Sequence, residues 1–248
     1  QGVTLWRVTT AGVLAATNTL PTSSVVFPTA ISVDRNGSSI VGIIGTERGS
    51  AGFIVNTDKA GLFGKLLQIG LASTTADAVV RHTDGSFTVA GSSSETLAGK
   101  KLAGKVDGIL MKVSKSGSIS SVVRSSASGA MRDWQSATAS NFLTGVVKSG
   151  KKIETAITKF NSTFTPTWTT RILSTGVSLA ASGANGSVFA IFEPSTALKG
   201  VTGWKQVKGQ SVVLQFDSKG ILIGALTNPL LSAPLTAGYS AEGGLILL

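Results

Sequence analysis

Cysteine is absent from the 248 residues, and histidine occurs once, at His82. The first absence removes disulfides and thiolate metal sites. With one imidazole and twelve acids scattered along the chain, a zinc site would be built almost wholly from carboxylates. Calcium loops need closely alternating oxygen ligands, and Asp34-Arg35-Asn36-Gly37 supplies only a fragment of one, with a cation inside it. No metal and no cofactor is therefore expected. A Ser-His-Asp arrangement would have to converge on His82, which stands one residue before a Thr83-Asp84-Gly85 turn and reads as a turn residue. No glycine motif opens a helix, so a nucleotide fold is not expected either. No apolar run approaches the roughly twenty residues of a spanning helix, so membrane insertion is not expected. The chain begins at Gln1 without a basic-apolar-small leader, which leads us to expect a processed product or an excised domain.

What is present is a repeat of roughly fifty residues, each copy an apolar strand, a turn, a second strand ending near glycine, a variable loop, a third strand, a glycine turn and a fourth strand. One copy runs from Ala76-Asp77-Ala78-Val79-Val80 through Asp84-Gly85 to Phe87-Thr88-Val89-Ala90-Gly91. It continues with Gly108-Ile109-Leu110-Met111-Lys112-Val113, Ser116-Gly117 and Ile119 to Val123. Asn36-Gly37, Asp84-Gly85 and Asn185-Gly186 precede second strands and suit tight two-residue hairpins. Gly12, Gly61, Gly117 and Gly220 stand four residues past the last core position of a third strand, with Phe164 in the equivalent place.

Five third strands predict five blades. The fold class expected is an all-β, five-bladed β-propeller of four-stranded antiparallel blades. Its blades span approximately 25–70, 74–125, 132–173 and 176–226, with a fifth made from residues 237–248 and 2–20, so that the two chain ends close the ring in one blade. The whole is read as a single domain, because the repeat is continuous and no linker interrupts it.

The charge is one-sided, with 22 Lys and Arg against 12 Asp and Glu and a net charge of +10. In the predicted topology the loops between second and third strands share one face. They carry Arg48, Lys100, Lys101, Lys105, Lys148, Lys151, Lys152, Lys199, Lys205 and Lys208. A basic face attracts polyanions by long-range attraction and counterion release. An anionic polysaccharide, a cell-wall polymer or a protein is the expected partner, with nucleic acid bound only nonspecifically. The alternative for these lysines is that they only keep a Gly/Ser-rich surface soluble.

Trp204, between Lys199 and Lys205, is expected to be exposed and to offer a stacking plane. Trp134, Tyr239 and Phe27 start inner strands near the channel mouth, where they either plug between blades or meet a ligand. Trp6 and Trp168 read as packing residues. Asp77 and Asp133 occupy similar places in neighbouring blades, and a glycan-cleaving pair of carboxylates there is the enzymatic alternative. A purely structural module is the third reading. Candidate ligand-binding residues are thus Trp204, Lys205, Lys199, Lys100, Lys101, Lys151, Lys152, Trp134, Tyr239, Asp77 and Asp133, none of them catalytic in the preferred reading.

The pattern from Asp84 to Gly91, with Asp107 to Val113 and Ser116-Gly117, resembles the SBBP-type propeller repeats of exported bacterial proteins. That resemblance implies a scaffold with no particular activity and a secreted or cell-surface location. Five-bladed lectins of the tachylectin type carry a site in every blade, and no matching aromatic motif recurs here.

Overall fold

The computed structural model describes residues 1–202 and 204–248. Its residues group into two compact units, Gln1–Ala103 with Gly108–Arg124, and Gly104–Asp107 with Ser125–Leu248. Apart from a 3-10 turn at Ala184–Gly186, the regular structure of the described residues is strand.

The first unit opens with the hairpin β1 (Gly2–Val8) and β2 (Leu14–Pro21). A four-stranded antiparallel sheet follows in the order β3 (Val26–Asp34), β4 (Gly37–Thr46), β5 (Gly49–Asn56) and β6 (Leu67–Ile69). The next sheet has the order β7 (Ala78–Arg81), β8 (Phe87–Ser93), β9 (Asp107–Val113) and β10 (Ile119–Ser125).

The second unit holds a seven-stranded sheet, β11 (Met131–Ala137), β12 (Phe142–Ser149), β13 (Lys152–Phe160), β14 (Pro166–Ser182), β15 (Val188–Pro194), β16 (Val212–Phe216) and β17 (Leu222–Thr227). One strand serves two four-stranded groups there. The first half of β14 pairs with β13, and its second half, past a register break between Ser174 and Ser178, pairs with β15. The unit ends in the hairpin β18 (Ala237–Ser240) and β19 (Gly244–Leu247), a two-stranded sheet like β1-β2.

Middle strands read as continuous apolar runs because both of their faces are buried. Along β4, Ile40 enters the cluster shared with Val3 of β1, while Val41 enters the one shared with β7 and β8. On β5, Phe53 and Val55 join the first cluster and Ile54 the second. That is the two-period of a strand dividing its side chains between two cores. In the second unit, Phe142, Ile157, Ala190, Phe192, Leu214 and Phe216 form the equivalent centre.

The same turn recurs five times, after β1, β5, β9, β13 and β16. The backbone N–H of Gly12, Gly61, Gly117, Phe164 and Gly220 donates to the carbonyl three residues earlier, on Thr9, Asp58, Ser114, Asn161 and Asp217. In every copy the side-chain oxygen of that earlier residue also accepts the N–H four residues on, at Val13, Leu62, Ser118, Thr165 and Ile221. The geometry needs positive φ, from 78° to 87° at the four glycines and 60° at Phe164. Phe164 occupies the left-handed position while its ring is buried, so packing offsets the backbone cost.

The turns before the second strands are less uniform than expected. Among the described residues only Arg35-Asn36 forms a two-residue turn there, with Asp34 paired to Gly37. Around Asp84-Gly85 the hairpin closes instead through His82 N–H to Ser86 O and Gly85 N–H to His82 O. The same pair of bonds recurs at Thr138-Phe142 and Asn141-Thr138, so the copy with the weaker sequence match makes the same turn.

The glycine inside each of β4, β8 and β12, which the strand runs past rather than ends on, has a steric cause. A Cβ on Gly42, Gly91 or Gly145 would overlap the carbonyl oxygen of Phe27, Thr75 or Asp133, where the innermost strand crowds its neighbour. Opposite Gly42 and Gly145 that strand is bulged, between Pro28 and Ala30 and between Trp134 and Ser136. The bulged residues stitch each inner strand to the next: Thr29 Oγ1 donates to Ala76 O at 2.6 Å, and Gln135 Oε1 accepts from Ser178 N at 3.0 Å.

Candidate functional site

The hairpins joining second to third strands were expected to be long and variable, and two of them are not. Thr46 pairs with Gly49 and Ser149 with Lys152, so Glu47-Arg48 and Gly150-Lys151 are two-residue turns. The two long connections are residues 94–106 and 195–211. Lys148 and Lys152 therefore lie in strands flanking a turn, whereas Lys100, Lys101, Lys199, Lys205 and Lys208 are in loops.

On these connections the cations are exposed and most of the acids are turned inward. Arg48, Lys100, Lys101, Lys105, Lys148, Lys151, Lys152, Lys199, Lys205 and Lys208 are all exposed. Glu95 instead turns into the link between β6 and β7. Its carboxylate accepts the backbone N–H of Leu71 at 2.9 Å, those of Ala72 and Ser73 at 3.2 Å, and the hydroxyl of Thr74 at 2.6 Å. Partial burial works to raise its pKa, but the Thr74 hydroxyl and the three amides outweigh it and hold the carboxyl below its usual range.

Glu154 is buried between Lys152 Nζ, 2.8 Å away, and the Arg171 guanidinium. Burial again pushes upward, and the Lys152 hydrogen bond together with the Arg171 charge wins, so Glu154 stays ionised below the normal carboxylate range. Asp107 is fully buried and accepts Gly104 N at 2.8 Å. Glu193 accepts Gly209 N at 2.7 Å. Of the five acids near these lysines, only Glu47 is exposed. The exposed charged groups on these connections are consequently cations, apart from Glu47.

The inner-strand candidates fare differently. Trp134 is buried, packed edge-on to Phe160 with ring centroids 5.7 Å apart, which withdraws it from any ligand surface. Tyr239 is half-buried and stacks on Phe189 at 6.1 Å. Phe27 is exposed. Asp77 accepts the Thr75 hydroxyl, and it stands one residue before Ala78 as Thr29 stands before Ala30 and Gln135 before Ser136. It thus occupies the position that stitches strands together in the other copies. Asp133 is half-buried on β11, paired with Val146.

Trp204 was expected in solvent, and it is half-buried against the Phe142-Phe216 cluster because the long loop folds back onto the sheet. Lys199 and Lys205 flank it and are exposed. Trp168 packs against Phe142 and Phe216 as anticipated, at 5.9 and 5.7 Å. Trp6 departs from its packing expectation: it is 63% exposed and lines a groove of about 420 Å³ with Ile31, Val33 and Arg35. His82 shares a hydrogen bond with Thr88 at 2.7 Å, and burial and the nearby Lys112 charge lower its pKa despite Asp84.

Two further grooves belong to the second unit. One of about 410 Å³ runs between Arg171-Ile172 of β14 and Leu198-Lys199 of the long loop, and one of about 360 Å³ adjoins Val177, Glu193 and Leu235. Neither Asp77 nor Asp133 lines any of the three. Among the described residues no three His, Asp or Glu side chains converge as metal ligands, and no helix is long and apolar enough to cross a membrane. Arg171 was overlooked in the sequence because it sits in a strand, away from the loop lysines. Its partner Glu154 is seventeen residues earlier and becomes a neighbour only through the β13-β14 register.

No protein-family model matches the chain, and no curated protein matches it. Solved structures do. The chain is similar to the Dos1 propeller, at 12% identity and a TM-score of 0.54 over 99% of this chain and 70% of that one. It is similar also to the Neurospora crassa Pan2 WD40 domain, at 8% identity and a TM-score of 0.50 over 89% and 72%. At such identities the likeness establishes the architecture alone, and that architecture is a β-propeller.

Proposed function

We propose that the chain is a non-catalytic binding scaffold that holds an acidic partner against the lysine-rich ends of its second-to-third-strand hairpins. One observation carries this reading: the basic side chains there are exposed while Glu95, Asp107, Glu154 and Glu193 are consumed by internal contacts. Exposed surface cations concentrate anionic partners and speed their association. An acidic protein surface and an anionic glycan both fit.

The test reverses Lys100, Lys101, Lys148 and Lys151 to Glu together. Lys152 is spared because it partners Glu154. Retention on immobilised heparin should fall to markedly lower salt with the melting temperature unchanged, since released counterions scale with the cations engaged. Elution at the wild-type salt concentration would end this reading.

The finer architecture we propose is five-bladed, the β18-β19 and β1-β2 hairpins being the two halves of the fifth blade. Support comes from the fifth copy of the Asx/Ser/Thr-centred turn, which β1-β2 carries at Thr9-Val13, and from β1 and β19 each having one pairing partner among the described residues.

A further inference from the structure

The groove between β14 and the long loop combines features that the acidic-partner reading does not require. Its floor is apolar, formed by Ile172, Leu198, Leu214, Phe216 and Leu222. The charged residues lining it are Arg171 and Lys199, both cations, and no acid lines it. Glu154 engages Nη2 of Arg171 from within the sheet, leaving the other guanidinium N–H groups uncommitted to that bond. Lys199 is exposed at the opposite wall.

The wall on the β14 side is an edge. Among the described residues, that strand pairs from Trp168 to Ile172 with β13 alone, and the loop returns at Leu173, where Ser195 N–H donates to its carbonyl. A strand edge beside apolar hollows suits an extended peptide, whose main chain can extend the ladder while alternate side chains enter the hollows. A free strand edge gives an alkyl chain nothing to recognise. Charge complementarity then selects which peptide.

We propose that this groove binds a short extended segment of a partner protein in which apolar side chains alternate with Asp or Glu. The apolar side chains settle on Ile172 and Leu222, the half-buried members of the floor, and the carboxylates meet Arg171 and Lys199. The inference rests on the acidic-partner reading and narrows it to a sequence-selective site that uses Lys199 alone of the loop lysines.

The probe is a fluorescein-labelled, end-blocked ten-residue peptide of alternating leucine and aspartate, titrated by fluorescence anisotropy into the whole chain. Peptides of leucine and lysine, and of serine and aspartate, are the controls. The leucine-aspartate peptide should bind saturably, and each control at least about tenfold more weakly, because one lacks the charge match and the other the apolar anchors. Lys199→Glu should weaken binding about tenfold, whereas Lys205→Glu, on the same loop outside the groove, should change it less than about twofold. Thr196→Trp, at an exposed position lining the groove, should obstruct binding and leave the circular-dichroism melt intact.

Equal affinity for the lysine peptide, indifference to Lys199→Glu, or displacement of the peptide by dodecanoate with no preference for aspartate would each overturn the assignment. The two readings fail separately. Loss of heparin retention in the four-lysine variant with peptide binding unchanged locates the groove site apart from Lys100, Lys101, Lys148 and Lys151. Peptide binding that disappears in the four-lysine variant but survives Lys199→Glu and Thr196→Trp refutes the groove.

Discussion

Glu95 is the acid whose removal should be most visible in solution. Its Oε1 takes hydrogen bonds from Ala72, Ser73 and Thr74 and shares that from Leu71 with Oε2. Replacing it with Gln keeps one acceptor oxygen in place, removes the charge, and puts an amide N–H₂ against the Leu71 N–H. Hydrogen bonds to an ionised acceptor are about twice as strong as neutral ones, so with a net value of about 1.5–3 kcal/mol for the charged kind we expect a loss of about 2 kcal/mol at this half-exposed position. In a chain of this size that corresponds to a fall in melting temperature of about 4–8 °C.

The pH dependence supplies a sign. The carboxyl is held below its ordinary value of 4.5 in the folded state, so the stability it contributes is complete above that value. It is lost as the pH falls from there through the folded pKa. The Gln variant has no titrating group at this position. The gap between wild type and Glu95→Gln, followed by circular dichroism at neutral pH and stepwise below 4.5, should therefore narrow with acidification. A gap under about 1 °C at neutral pH, or one that stays constant into acid, would refute the claim that the ionised carboxylate organises the β6-β7 link.

Two stability predictions follow from the repeat. Gly12 and Gly220 share a turn and a positive φ, but a Cβ on Gly12 meets nothing within 4 Å while one on Gly220 lies 2.6 Å from the Trp168 ring. Gly12→Ala should cost about 1 kcal/mol for the backbone alone, and Gly220→Ala about 2–3 kcal/mol because the indole has to move; equal costs in urea unfolding would contradict this account. Deleting residues 242–248 removes all of β19 from Gly244 to Leu247; if this hairpin is half of a fifth blade, the truncated chain should unfold or aggregate, and a monomer with an unchanged melt would dispose of the closure.

Much of the strand pattern was legible because its causes are local. Alternation in β4 and β5 reports which face each residue occupies, and the turn glycines report where the chain takes positive φ. Even Phe164, chemically unlike the glycines around it, was placed by spacing alone. The site was less legible because its determinants are pairings between distant residues. Lysines could be counted, but whether an adjacent acid neutralises them depends on where that acid turns. Trp6 and Trp204 were misjudged for the same reason, since exposure of an indole depends on what packs over it.

The amino-acid order, then, determined the all-β character, the repeat and the position of its turns, because short-range sterics and hydrogen bonding decide those within a few residues. Tertiary structure alone decided that Glu95 closes on a loop more than twenty residues away, that Glu154 captures Arg171 across a strand register, and that Leu198 and Lys199 fold back against β14 to make a groove. Those outcomes depend on which surfaces come to lie against each other in the fold, and no local pattern in the sequence records that.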